Sequence, residues 1–121
     1  MAAIPVQLLS ANGVIAALAF TPATAGTPPT TDAFENTGTE LFLARAVDPT
    51  WTNEQATVQG VPAQDSGRDG TEATTLAADG DIWIGGPYKP RNWNVGGSTE
   101  VVTSGATGIG VEYAVVRPNN S

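Results

Sequence analysis

The stretch ENTGTELFLARAV, Glu35 to Val47, opens on a turn and then runs apolar on both faces. Asn36 to Gly38 supplies the turn, because Asn and Gly tolerate the backbone conformations that reverse a chain. Leu41, Phe42 and Leu43 follow with no polar residue between them. A strand with one wet face alternates, whereas a strand covered on both faces reads as a continuous apolar run. Residues 35–47 are therefore expected to hold a central strand.

Further strands are expected on either side of it. IGVEYAVVRP, Ile109 to Pro118, alternates: Ile109, Val111, Tyr113 and Val115 share one face, Gly110, Glu112 and Ala114 the other. TEVVTS (Thr99 to Ser104), IWI (Ile82 to Ile84), a short run at Thr74 to Leu76 and the weakly alternating EQATVQGV (Glu54 to Val61) read as strands too. The polar run Ala63 to Ala73 and the Pro/Thr-rich run of residues 21–32 read as loops. At the N-terminus, residues 1–9 form an extended arm or an edge strand, since Pro5 in IPVQLL cannot donate to a central ladder. SANG turns the chain, and VIAALAF (Val14 to Phe20) follows as a buried strand. That run also imitates the apolar part of a signal peptide, with Ala23 to Ala25 as its cleavage site. No Lys or Arg precedes it and Asn12-Gly13 interrupts it, so the strand is the expectation.

Helical periodicity is nearly missing, and nine Pro and 14 Gly punctuate the chain too often to allow it. Seven or eight short antiparallel strands with regular turns imply an all-β chain: one β-sandwich or small barrel domain over residues 1–121.

The charge balance excludes several partners. Five Lys and Arg stand against 12 Asp and Glu, giving a net charge of -7. Nucleic acid and anionic membrane both need cations to hold phosphate, so neither is expected. Only 14% of residues are charged, which suits a surface partly covered by other protein, because interface cores are depleted in charge. With no Cys and no His, thiolate chemistry and the common zinc sites are absent.

Catalysis would then need a perturbed carboxylate or Lys. The pairs Asp79/Asp81 and Glu35/Glu40 could serve as acid and base, but Asp79-Gly80 reads more simply as a turn and Asp81 as a strand opening. DSGRDG, Asp65 to Gly70, resembles the start of a calcium loop. It carries Gly67 where an oxygen ligand belongs, Leu76 where the closing Glu belongs and Arg68 in the middle. No enzyme activity, cofactor or metal is expected.

The aromatic residues remain. IWIGGPYKPRNWN, Ile82 to Asn94, holds two of the three Trp. Alternation sets Trp83 on one face and Ile82 with Ile84 on the other, so either both faces are covered or Trp83 touches a partner. Trp93 lies beside Arg91 in a loop, and Trp and Arg concentrate at interface hot spots. With Trp51, these residues could instead form a sugar-stacking platform.

Three segments carry a resemblance: the N-x-G turn at Asn36 to Gly38 before an apolar strand, the aromatic-Pro segment Ile84 to Tyr88 followed by Asn94, and a last strand ending at Arg117. Their succession, over residues 33–118, resembles the small decoration, or cement, proteins of tailed-bacteriophage heads. The additional Gly in IGGPY, the PRNWN loop and the long 21–32 connection depart from that pattern. The resemblance implies a β-sandwich, no catalysis, and a virion structural protein on the outer capsid surface. It would bind the major capsid protein between capsomers and itself as an oligomer, often a homotrimer, stabilising the shell.

Candidate contact residues on this reading are Ile4, Val6 and Leu8 in the uncharged N-terminal arm, which suits strand addition, and Trp51, Trp83, Tyr88, Arg91 and Trp93. Trp83 and Tyr88 are expected to hold the sandwich or a subunit seam, and Trp93 with Arg91 to meet a neighbour. A head-tail or tail component, and a Trp-based carbohydrate-binding module on the virion surface, are the alternatives.

Overall fold

The computed structural model describes residues 2–9, 17–24, 30–47, 54–59, 71–76, 79–104 and 110–118. These build two sheets. The first has the order β1 (Ala2–Ala3), β4 (Thr30–Glu35), β10 (Ser98–Ser104), β6 (Glu54–Gln59), β7 (Thr71–Leu76), with the fragment β9 (Asn94–Val95) also paired to β10. The second has the order β2 (Val6–Leu8), β11 (Val111–Arg117), β5 (Leu41–Ala46), β8 (Ile82–Gly85), with the fragment β3 (Thr21–Pro22) on β11. One helical turn, α1 (Pro90–Trp93), is the exception among the described residues. The chain is all-β, as expected.

The path alternates between layers. β4 and β5 are consecutive but lie in different sheets, as do β1 and β2, β7 and β8, and β10 and β11. Short connections therefore cross from one sheet to the other, and Asn36 to Glu40 is one such crossing.

The core lies between the sheets. Phe34 of β4 stacks on Phe42 of β5 with ring centroids 5.7 Å apart, and Phe42 also meets Tyr113 at 5.3 Å and Trp83 edge-on at 5.6 Å. Phe42 is wholly buried. Its burial contributes roughly 2–3 kcal/mol, and each aromatic pair about 1 kcal/mol more. β11 is central: Val111, Tyr113 and Val115 face the core, while Ala114 and Val116 are buried as well. β5 faces inward with Phe42, Ala44 and Ala46, and keeps Leu41, Leu43 and Arg45 half-buried on its outer face.

Three expectations need correction. Residues 21–32 are not one loop: β3 lies within them and β4 begins at Thr30. β4 turns Thr30, Asp32 and Phe34 inward, so two of its three buried positions are polar and its alternation was disguised. Asp32 is satisfied there by the Thr24 backbone N–H at 3.0 Å and by the Thr24 hydroxyl, both donating to its carboxylate. Secondly, residues 17–20 of the expected strand at Val14 to Phe20 are in no strand, and residues 10–16 lie outside the described residues. The Phe20 ring instead lies under the Arg45 guanidinium, 3.8 Å away, an attraction between cation and ring face.

Thirdly, the N-terminal pairings are parallel, β1 on β4 and β2 on β11. The arm docks on its own fold as an edge strand of each sheet. Ile4 between them is buried and donates its N–H to the Ala33 carbonyl at 2.7 Å.

Candidate functional site

The three segments that carry the resemblance meet at one end of the sandwich. The Asn36 side chain donates to the Tyr88 carbonyl at 3.0 Å and to Asn94 Oδ1 at 2.9 Å, and its own Oδ1 accepts the Gly38 N–H at 3.0 Å. Asn94 Nδ2 returns a hydrogen bond to the Asn36 carbonyl at 2.8 Å, and Thr99 Oγ1 donates to Asn94 Oδ1 at 2.7 Å. The turn, the aromatic-Pro segment and the start of β10 are thus tied by one amide network. Such a network fixes a unique arrangement because each broken partner strands a buried polar group.

A charged cluster lies alongside. Glu40 is fully buried, and its carboxylate accepts the Thr37 N–H at 2.7 Å, the Thr37 hydroxyl at 2.8 Å and Arg117 Nε at 2.5 Å. Arg117 Nη2 also donates to Glu35 at 2.8 Å. Burial works to raise the Glu40 pKa. The hydrogen bonds from Thr37 and Arg117 outweigh it and hold the carboxyl down to about 2 from its ordinary 4.5. A carboxylate held so low is a fixed acceptor at neutral pH and a poor general acid or base. Glu35 and Glu40, paired as a dyad from sequence, both bind one guanidinium.

The aromatic lid of this network comes from the segment after β8. The Gly86-Pro87 peptide is cis and Gly86 sits at φ +98°. A Cβ there would lie 2.9 Å from the Glu40 carbonyl oxygen and 3.1 Å from the Tyr88 ring, so glycine alone lets the segment close over Glu40. Tyr88 is buried against Phe34, and Trp93 packs on it at 4.9 Å between centroids. Pro90 at the first position of α1 presets its backbone, and the turn swings the Trp93 indole back over Tyr88.

The exposed feature is elsewhere, on β8. Ala46 N–H donates to the Asp81 carbonyl, while Gly80 N–H donates to the Ala46 carbonyl, each at 2.9 Å. Two residues of one strand thus oppose one of the other, a β-bulge, with Gly80 at the φ of +93° that it requires. Asp79-Gly80 is a turn and Asp81 leads into the strand, as expected from sequence. Beyond the bulge, Trp83 pairs with Ala44 and turns inward onto Phe42. Ile82 and Ile84 turn outward and are 57% and 62% exposed.

Of the other candidates, Tyr88 and Ile4 are core, Val6 is half-buried against the core, Leu8 is 63% exposed, and Arg91 is exposed. Trp51 lies outside the described residues, as do Asp65 to Gly70. Trp93 was expected to meet a neighbour; at 3% exposure its indole belongs to its own core, and of that pair only Arg91 reaches the surface. The residues missed as candidates are Ile82 and Ile84. Alternation already grouped them opposite Trp83, but IWI alone does not say which face is wet.

Comparison of the chain with protein families, with curated proteins and with solved structures finds no match.

Proposed function

We propose that this chain is a virion structural protein that decorates the outside of a bacteriophage capsid shell and stabilises it by binding the major capsid protein between capsomers, as an oligomer and without catalysis. The observation that carries the reading is the exposed, uncharged pair Ile82 and Ile84 on a sheet-edge strand, an apolar surface suited to contact with another protein. The meeting of the three resemblance-bearing segments at one end of the sandwich, in an amide network and the adjoining Glu40–Arg117 cluster, supports it further. A protein that binds the assembled shell and not its dissociated parts stabilises the shell by mass action, and repetition over a symmetric lattice multiplies modest contacts.

The test is addition of purified protein to expanded capsids that lack it. Saturable, lattice-wide binding and a higher disruption temperature are expected. Density confined to one vertex or to a tail would favour the head-tail or tail component, and absence of binding would remove the shell reading. The carbohydrate-binding alternative draws no support from Trp83 or Trp93, whose rings lie against Phe42 and Tyr88; titration of Trp fluorescence with a glycan panel tests it directly.

A further inference from the structure

We infer that the β8 edge is a contact between two copies of this chain, formed by antiparallel pairing of β8 with β8 of a second copy about a twofold axis. In the β5–β8 ladder the bonded pair Ala46/Asp81 sets the alternation: Ala44/Trp83 and Phe42/Gly85 are the hydrogen-bonded pairs. The backbone N–H and C=O of Ile82 and Ile84 therefore point away from β5, toward the side on which no described strand pairs with β8. Among the described residues β8 pairs with β5 alone. Edge strands are ordinarily guarded by Lys, Pro, covering loops, bulges or short length; β8 is short and has a bulge at its start, yet Ile82–Gly85 contains neither Lys nor Pro and its two Ile side chains are more than half exposed.

The edge is complementary to itself. With Trp83 opposite Trp83, the outward backbone groups of Ile82 in one copy meet those of Ile84 in the other, twice over. The four Ile side chains then form one patch, continuous with the half-buried Leu43 that pairs with Ile84 in each copy. Charge selects the antiparallel sense. Each β8 is preceded by the exposed Asp79 and followed by the exposed Lys89. Antiparallel pairing brings the acidic end of each strand to the basic end of the other, whereas parallel pairing would bring like ends together. This local complementarity offsets the repulsion that a net charge of -7 imposes on two copies. Pairing about a twofold gives a dimer, or an even-numbered assembly, in place of the trimer that the resemblance implies. The inference deepens the oligomeric part of the proposed function and rests on the same edge; the two are told apart because pairing is measured on the free protein and shell binding on capsids.

Sedimentation velocity of the full chain over a concentration series is the test. Wild type is expected to pass from monomer to dimer. Ile84→Lys, which places two like charges in the seam and touches no core side chain, weakens the dimer at least about tenfold. Lys89→Glu weakens it less, and more so at low salt. Unchanged far-ultraviolet circular dichroism and melting at low concentration show that each variant is folded. A protein that stays monomeric at high concentration, a trimer, or a dimer indifferent to Ile84→Lys overturns the proposal.

Discussion

Asn36 and Asn94, 58 residues apart in the chain, exchange two hydrogen bonds: Asn36 Nδ2 donates to Asn94 Oδ1 at 2.9 Å, and Asn94 Nδ2 donates to the Asn36 carbonyl at 2.8 Å. The pair joins the β4–β5 crossing to the segment between α1 and β10. Asn36→Ala takes a donor from the Tyr88 carbonyl and the acceptor from the Gly38 N–H in a site that water reaches poorly, while Asn94 keeps the Thr99 hydroxyl and the backbone carbonyl of residue 36. Each such group costs about 1–3 kcal/mol, so a loss of about 3 kcal/mol is expected. Urea unfolding measures it as a lower midpoint at unchanged slope.

Acid should unfold the protein through Glu40. Its carboxyl is held at about 2 in the folded chain against an ordinary 4.5. A depressed folded pKa gives stability that is fully present above pH 4.5 and is lost as pH falls toward 2. The difference corresponds to about 3 kcal/mol. Glu40→Gln should lower stability at neutral pH and flatten the acid limb between pH 4.5 and 2. A parallel loss in both proteins over that window would assign the acid sensitivity to other carboxylates.

How legible each part was from sequence follows from which way its polar residues point. β5 and β11 were readable because their inward residues are Phe42, Val111, Tyr113 and Val115, so apolar pattern and core coincide. β4 was not, because Thr30 and Asp32 face inward and Ala33 is only half-buried; the tertiary partner of Asp32, Thr24, decides that strand rather than its hydropathy. The site at this end was legible as three separate motifs and not as one object, since Asn36 and Asn94 lie 58 positions apart and Glu40 and Arg117 77, and spacing carries no sign of either contact. For β8, alternation separated Trp83 from Ile82 and Ile84 correctly. Which side was wet depended on Phe42, in another strand, claiming the indole.

Gly86 is the position where a methyl group should do most harm. Its φ of +98° is strained for any residue with a Cβ, and that Cβ would press on the Glu40 carbonyl oxygen and the Tyr88 ring. Gly86→Ala is expected to cost about 2 kcal/mol or more from the backbone conformation and the clash together. Gly96, also at positive φ but with open space where its Cβ would lie, is the control: Gly96→Ala should cost less than Gly86→Ala. Equal losses in thermal melts would mean that the contact with Glu40 and Tyr88 contributes nothing.

Tyr113 offers a substitution of the opposite sign. Its ring is fully buried against Phe42, while its hydroxyl is buried and makes no hydrogen bond among the described residues. Burial, with the nearby negative charge of Asp32, raises its pKa above the ordinary 10.0. Burying an unsatisfied hydroxyl costs about 1–3 kcal/mol, so Tyr113→Phe, which keeps the ring, should leave stability unchanged or raise it by about 1 kcal/mol at neutral pH. The raised pKa fixes the alkaline behaviour as well. The folded phenol stays neutral while the unfolded one ionises, so wild type should lose stability as pH rises above 10. Tyr113→Phe should lose less over the same range, and denaturant midpoints at pH 7 and above pH 10 measure both effects. A clear destabilisation at pH 7 would mean that the hydroxyl is held by a partner such as a buried water, and that its burial costs the fold nothing.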